Sequence, residues 1–179
     1  MKGRNNIKIL SVVGARPNYI KLAAVYKFFS DLFEHIIIDT GQHYDYEMSR
    51  IFFEQLGLPE PDVDLDVRSG SHAEQTAKIM IGVEKIIERY KPSIVVALGD
   101  TNTTLATALA STKTLTPFAH VEAGLRSFDW RMPEEHNRRM IDHVSHYLFA
   151  PTEMSRRNLL EEHVWGEIFV TGNTVIDAV

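Results

Sequence analysis

The stretch IKILSVVGARPNYIK (residues 7–21) joins an apolar, β-branched run to a glycine turn and the start of a helix. Gly14 permits a tight exit from the strand, and Pro17 suits the first turn of a helix. Such a helix start directs backbone N–H groups and a positive dipole end forward, and Arg16 and Lys21 add two cations. The stretch therefore predicts a phosphate or diphosphate site after the first strand. A plain helix start with solvated Arg and Lys side chains is the alternative. The sequence GARPNYIK matches neither the Walker loop nor the GxGxxG fingerprint.

The alternation of apolar runs and helical segments continues along the chain. Most of the apolar runs are continuous, which is typical of strands buried on both faces of a parallel sheet. The sequence therefore predicts an α/β fold, a doubly wound, Rossmann-like parallel sheet with helices on both faces. The predicted strands are Ile7–Val13, His35–Asp39, Ser93–Leu98, Phe118–Val121, Tyr147–Ala150 and Ile168–Val170. The predicted helices are Pro17–Ser30, Tyr46–Gln55, His72–Tyr90, Thr103–Ser111, Glu134–Ser145 and Glu153–Glu162.

Composition and charge argue against several classes of function. The chain has 179 residues, 44% hydrophobic and 24% charged, which is typical of one globular domain. A net charge of −5 gives no broad basic face, so we expect neither nucleic acid nor an anionic membrane as a partner. The lack of cysteine excludes disulfides and a cysteine nucleophile and favours a reducing, cytoplasmic setting. Gly14 and Arg16 interrupt the first apolar run, so we expect no export signal or membrane span.

Two segments depart from the βα alternation. The stretch LPEPDVDLDVRSGS (residues 58–71) contains two prolines and three aspartates and predicts a surface loop that reaches over a site. The final stretch VTGNTVIDAV (residues 170–179) contains the end of a strand, a glycine turn and the first residues of a helix. We therefore expect a domain over residues 1–170 and the start of a crossover to another domain at residues 171–179.

Charged side chains follow several of the predicted strands. In an open parallel sheet, ligands bind beyond the carboxyl ends of the strands, so these positions are candidates for chemistry. Asp100 in GDTNTT, Glu122 in HVEAGLRS and Glu134 in MPEEHNR are the acidic candidates. Each has an ordinary alternative: Asp100 as a helix cap, Glu122 as the partner of Arg126, and Glu134 as a helix-start acid.

The histidines give little support to a metal site. His136, His143 and His146 lie on or near one predicted helix, but no HExxH or carboxylate-bridged pattern accompanies them. We therefore predict no metal. The turn TGQHYD after the second strand places Gln42 and His43 at the ligand edge, where they are candidates for substrate binding.

Taken in order, GARPNYIKLA, TGQHYD, GDTNTT, HVEAGLRS, MPEEHNR, LFAPTE and VTGNTVIDA resemble the motifs of the non-hydrolysing UDP-N-acetylglucosamine 2-epimerases. The resemblance runs through the first domain of that two-domain family. It implies the glycosyltransferase-B architecture, in which two Rossmann-like domains face each other across a cleft, with this chain as the N-terminal half.

The resemblance implies reversible inversion at C2 of the sugar, which converts UDP-GlcNAc to UDP-ManNAc without NAD or metal. Carried over by motif, Asp100, Glu122 and Glu134 would be the acid/base carboxylates, and Arg16 and Lys21 would meet the phosphates and sugar. Arg126 in HVEAGLRS joins Gln42 and His43 as a substrate-binding candidate. The first motif departs from the family, since it reads GARPN where many members have GTRPE.

The implied partners are a UDP-sugar, a C-terminal domain beyond Val179 and, from the family alone, a second copy in a homodimer. We expect this chain alone to fold without epimerising, since it lacks the other face of the cleft. The competing enzymatic readings are a hydrolysing epimerase and an epimerase of another UDP-2-acetamido sugar. A non-catalytic module that binds a sugar nucleotide is the alternative from a different class.

Overall fold

Parallel strands form one seven-stranded sheet in the computed structural model, which describes residues 7–41, 51 and 53–174. Across the sheet the strands run in the order β3-β2-β1-β4-β5-β6-β7. Each neighbouring pair is parallel, and the switch of chain direction lies between β1 and β4. This topology confirms the doubly wound, Rossmann-like α/β prediction. The strands are β1 (Lys8–Val13), β2 (Glu34–Asp39), β3 (Val63–Asp64), β4 (Ile94–Leu98), β5 (Phe118–Val121), β6 (Tyr147–Ala150) and β7 (Glu167–Val170).

The helices follow the sequence prediction closely. Ser71 caps the second of them, because its side chain accepts from the backbone N–H of Glu74 while the Glu74 carboxylate accepts from the N–H of Ser71. The predicted helix Tyr46–Gln55 lies mainly outside the described residues, and residues 53–55 are helical. The helices are α1 (Arg16–Leu32), α2 (His72–Tyr90), α3 (Asn102–Lys113), α4 (Pro133–Val144) and α5 (Glu153–Glu161).

Successive residues of a strand pack on opposite faces of the sheet. In β1, Leu10 and Val12 join the buried cluster that includes Ile79 of α2. Ile9 and Val13 join a second cluster that includes Leu22 of α1. Because helices cover both faces, the central strands carry apolar residues at nearly every position.

The predicted surface loop over residues 58–71 contains a strand that the sequence analysis did not predict, at Val63–Asp64. These two residues form the edge strand β3, with Val63 opposite Ile38 and Asp64 opposite Asp39. The Asp62 carboxylate accepts from the N–H of Ile37 at 2.8 Å and extends the pairing. A strand of two residues is too short to show an alternating pattern in the sequence.

The expected domain boundary after residue 170 falls at the end of β7 and stays a prediction. Residues 175–179, where the crossover is expected, lie outside the described residues. Within residues 7–41, 51 and 53–174, every helix is too short or too polar to cross a bilayer.

Candidate active site

Two of the predicted site residues, Asp100 and Glu122, directly follow β4 and β5, next to the crevice at the switch point between β1 and β4. Gly14 follows β1, Gly99 and Asp100 follow β4, and Glu122 follows β5, so all occupy the carboxyl edge of the sheet. A doubly wound sheet opens at this switch point because the chain leaves β1 and β4 in opposite directions. The fold thus brings these residues to the edge of the sheet where open α/β folds commonly bind ligands.

Lys21 and Glu122 are in direct contact in this crevice. The Lys21 Nζ atom forms an ion pair with Oε2 of Glu122, and their side chains are only 13% and 8% exposed. A methyl group built on Gly99 would lie 2.8 Å from Lys21 Nζ and 3.8 Å from Glu122 Oε2. The absence of a side chain at Gly99, where φ is +78°, therefore leaves room for the pair.

Glu122 has a strained backbone. Its φ is 71°, in the left-handed region that a residue with a Cβ atom rarely adopts. Two hydrogen bonds to the Phe149 carbonyl, from the N–H groups of Glu122 and Ala123 at 3.1 Å, hold the turn. Strain of this kind costs on the order of 1–3 kcal/mol and is concentrated at functional sites.

The start of α1 is anchored to β4 by a residue the sequence analysis did not select. Asn18 is 1% exposed, and its Nδ2 donates to the carbonyl of Leu98 at 2.6 Å. The Oδ1 atom of Asn18 has no hydrogen-bond partner among the described residues. The departure from GTRPE at this position was the sequence signal that could have identified it.

The first turn of α1 carries a cation and no acidic side chain. Arg16 is exposed, and Ala15 at the N-cap provides no side-chain hydrogen bond to the helix. Within the described residues, neither the N-cap nor the first turn of α1 supplies a carboxylate to the positive dipole end.

Asp100 is tied to α4 by two contacts. Its Oδ2 lies 3.0 Å from Nη2 of Arg138, and its carbonyl accepts from Nδ2 of Asn137 at 2.9 Å. The Asp100 side chain remains 35% exposed. Sequence reasoning missed Arg138, since an arginine inside a helix that starts with two acids is typical of a surface pair.

The two neighbouring acids at the start of α4 have different environments. Glu135 is fully buried, accepts from the Ser127 N–H at 2.9 Å and from Arg139 Nε at 3.0 Å, and contacts Arg138. Burial opposes its charge, but these hydrogen bonds and the nearby Arg138 hold the pKa of Glu135 below its usual value. Glu134 is half-buried, and its side chain makes no hydrogen bond or ion pair within the described part of the chain. Of these two acids, Glu135 is thus occupied by its partners, whereas Glu134 stays a candidate for proton transfer.

Arg126 is not brought to Glu122. Its side chain is 0% exposed, and its guanidinium contacts Asp142 Oδ2 at 2.8 Å and Glu162 Oε2 at 2.6 Å. Burial lowers the pKa of Arg126, and these two carboxylates outweigh the effect and raise it above its usual value. This geometry does not support an ion pair between Arg126 and Glu122. It also does not support direct contact between Arg126 and a substrate. Gln42 and His43 lie outside the described residues.

A cavity of about 570 Å³ adjoins this region, at the first turns of α2, α3 and α4. Asn102, Trp130, Pro133 and Asn137 are among its lining residues, whereas none of the predicted site residues is. Asn137 lies between the cavity and the predicted site, because it lines the cavity and also donates to the Asp100 carbonyl. Within the described ranges, no group of three or more His, Asp or Glu side chains has the geometry to hold a metal ion.

Comparison with known proteins identifies close relatives. A sequence model of the UDP-N-acetylglucosamine 2-epimerase family matches residues 29–179. A UDP-N-acetylglucosamine 2-epimerase homolog of Methanococcus maripaludis is 50% identical over 172 residues, and the alignment covers 96% of this chain and 48% of the relative. The UDP-2,3-diacetamido-2,3-dideoxy-D-glucuronate 2-epimerase of Pseudomonas aeruginosa is 49% identical over 158 residues, covering 87% of this chain and 45% of the relative.

A solved structure agrees with the fold. The crystal structure of Methanocaldococcus jannaschii UDP-GlcNAc 2-epimerase in complex with UDP-GlcNAc and UDP matches with a TM-score of 0.92 and 49% identity. The match covers 96% of this chain and 48% of that protein. The chain thus spans about half the length of the curated relatives it matches, as expected for one half of a glycosyltransferase-B architecture.

Proposed function

Because the chain belongs to the UDP-N-acetylglucosamine 2-epimerase family, we propose that it supplies the acid/base half of a cleft that interconverts UDP-GlcNAc and UDP-ManNAc. One side chain removes the C2 proton while the C1–O bond to the diphosphate breaks, so that UDP leaves and a 2-acetamidoglucal remains. UDP then adds back at C1 as a proton arrives on the opposite face of C2. Neither step of this elimination and re-addition transfers a hydride, so the proposed route uses no redox cofactor.

The observation that carries the proposal is the Lys21–Glu122 contact beside the turn of Gly99 and Asp100. It combines a buried ion pair with a strained backbone at the switch point of the sheet. Other non-glycine residues of the described chain also have a positive φ, so the burial of the pair at the switch point is the stronger part of this observation.

Each residue then has a role in the elimination. Asp100, Glu122 and Glu134 supply the proton transfers, and proton transfer by positioned carboxylates is the chemistry that inversion at C2 requires. Lys21 orients Glu122, and Arg16 with the start of α1 stabilises the departing diphosphate. Gln42 and His43 bind the substrate from the TGQHYD turn. Arg126 acts only in the scaffold, since two carboxylates occupy its guanidinium.

The other half of the cleft comes from a second domain in this proposal. The chain would form the domain over residues 1–170, and residues 171–179 would begin the crossover. The half-length match to the relatives supports this division. A homodimer rests on the family resemblance alone, and a cytoplasmic setting rests on the lack of cysteine.

An epimerase of another UDP-2-acetamido sugar is the second candidate. The relative from Pseudomonas aeruginosa, named for a diacetamido glucuronate substrate, is 49% identical to this chain. That identity is equal to the identity with the Methanocaldococcus jannaschii protein, so identity does not select the sugar. Proton abstraction at C2 is the same for both substrates.

Incubation of the full-length protein with each UDP-sugar in D₂O, followed by ¹H NMR, tests the proposal. We expect UDP-GlcNAc to give UDP-ManNAc with deuterium at C2, because the C2 proton exchanges with solvent during elimination. Turnover of the diacetamido glucuronate alone would favour the second candidate, and release of free ManNAc would indicate a hydrolysing enzyme. Binding of UDP-GlcNAc without exchange at C2 would contradict an epimerase and favour a non-catalytic module. The same assay on residues 1–179 alone is expected to show no turnover.

A further inference from the structure

Arg138 is held from two sides by carboxylates. Its Nη2 contacts Asp100 at 3.0 Å and its Nη1 contacts Glu135 at 3.2 Å, while its Nε is buried without a partner among the described residues. A guanidinium presents its donors in a fixed planar fork, so two simultaneous partners define its orientation. Arg138 is therefore a rigid link between Asp100 and Glu135.

Glu135 is itself immobilised. It is 0% exposed, and it accepts from the backbone N–H of Ser127 at 2.9 Å and from Nε of Arg139 at 3.0 Å. The Glu135 carboxylate that contacts Arg138 is thus fixed in place by its other hydrogen bonds. The other partner of Arg138, the Asp100 carboxylate, follows β4 at the crevice, and its side chain is 35% exposed.

The backbone of Asp100 is attached to the same helix. Asn137, next to Arg138 on α4, donates from Nδ2 to the Asp100 carbonyl at 2.9 Å. One helix therefore holds both the main chain and the carboxylate of Asp100. The same helix begins with Pro133 and Glu134, so its position also determines where Glu134 lies.

We propose that Arg138 is a positioning residue for the reaction, fixing the carboxylate of Asp100 in the crevice through its contact with Glu135. The proposal rests on the proposed function, because it requires Asp100 to take part in proton transfer. Buried charge networks are often no more stabilising than packed apolar residues, so stability alone is a weak reason for this link. A displacement of about 1 Å at a reacting group can lower the rate on the order of a hundredfold.

Arg139 provides a matched control. It lies on the same helix and contacts the same Glu135, but its other partner is Glu162 rather than Asp100. Arg138→Met and Arg139→Met each remove one cation from Glu135, and both should lower the melting temperature. Only Arg138→Met removes a contact to Asp100.

The test is steady-state epimerisation by the full-length protein carrying Arg138→Met, Arg138→Lys, Arg139→Met or Asp100→Asn. We expect Arg138→Met to lower kcat on the order of a hundredfold with KM changed less than about threefold. Arg138→Lys, which keeps the charge but loses the fork, should recover part of that loss. Arg139→Met should keep kcat within about fivefold. Added guanidinium at low millimolar concentration should partly restore Arg138→Ala and leave Arg139→Ala unchanged.

Equal loss of kcat in Arg138→Met and Arg139→Met would show a purely structural role and overturn the proposal. Full kcat in Arg138→Met with an inactive Asp100→Asn would overturn it as well, and would leave the proposed function intact. A wild-type protein without epimerisation would instead refute the proposed function. If Arg138→Met fails to fold, Arg138→Lys provides the test instead. A wild-type kcat in Arg138→Lys would contradict the proposal that the guanidinium fork orients the Asp100 carboxylate.

Discussion

Two groups of buried charges involve residues that follow β5, Arg126 in one and Glu122 in the other, and they differ in how many of their charges are paired. Around Arg126, the guanidinium, Asp142 and Glu162 share short contacts, and the side chains of Arg126 and Asp142 are 0% exposed. Among the described residues, Lys21 and Glu122 have one ion pair, with each other, next to a residue with φ of +78°, and Glu122 itself has φ of 71°. Full satisfaction is typical of a scaffold, whereas a sparse pair on a strained backbone is typical of a site.

The Arg126 group should control stability. Arg126→Met leaves Asp142 and Glu162 without their shared cation, and removing one partner from a buried pair costs about 3–5 kcal/mol. We expect urea denaturation to show a loss of that size. Arg126→Lys, which retains a charge but not the fork, should lose less. An Arg126→Met protein as stable as wild type would show that this group is not the scaffold.

The Lys21–Glu122 pair should control activity instead. Glu122→Gln keeps the shape and the strained turn but removes the ability to transfer a proton, so kcat should fall on the order of a hundredfold or more. The amide oxygen introduced by Glu122→Gln can still accept from the Lys21 ammonium, so the unfolding free energy should fall by less than the loss of about 3–5 kcal/mol expected for Arg126→Met. Asp100→Asn and Glu134→Gln should behave in the same way. Wild-type turnover in any of the three would remove that residue from the acid/base set.

Arg16 tests the difference between charges that control stability and charges that control activity, because it is exposed and is assigned to the site. In the full-length protein, Arg16→Ala should raise the activation barrier by about 2–3 kcal/mol, which is near the lower end of the effect of losing one preorganised donor. Stability should stay within about 0.5 kcal/mol, as for other exposed positions. Lys27, exposed on the same helix, is the matched control, and Lys27→Ala should leave kcat/KM unchanged. Equal kinetics in the two variants would place Arg16 outside the site.

The sequence allowed the fold and the ligand edge to be predicted, because both follow from patterns along the chain. Continuous apolar strands and the turn after β1 determined the architecture, and α2 has its predicted bounds, His72–Tyr90. Which charged residues form ion pairs depends on contacts between residues far apart in the sequence. Local sequence patterns therefore could not predict these pairs. Glu122 meets Lys21, which is 101 positions away, rather than Arg126 four positions along the chain. Likewise, nothing in the order of Glu134 and Glu135 indicated which of them is buried.

His35, at the amino end of β2, shows that burial alone does not make a site. Its Nε2 lies 2.8 Å from Ser11 Oγ, its ring packs near Tyr26 and Phe29, and Nδ1 is buried without a partner in the described ranges. Burial lowers the pKa of His35 from 6.5 to about 4, although the Asp62 carboxylate acts in the opposite direction. The residue lies at the edge of the sheet opposite to the crevice, so we expect it to affect stability only.

The sign of this effect follows from proton binding. Between pH 6.5 and about 4 the unfolded chain binds a proton at His35 that the folded chain does not bind. The contribution of neutral His35 is therefore complete above pH 6.5 and is lost as the pH falls toward 4. Allowing for the part of the ring that remains exposed to solvent, we expect a loss of about 2 kcal/mol. His35→Gln keeps a polar group near Ser11 and does not titrate. Urea denaturation from pH 7 to pH 4 should show a steeper loss for wild type than for His35→Gln, and parallel curves would mean that His35 is charged or exposed in the folded protein.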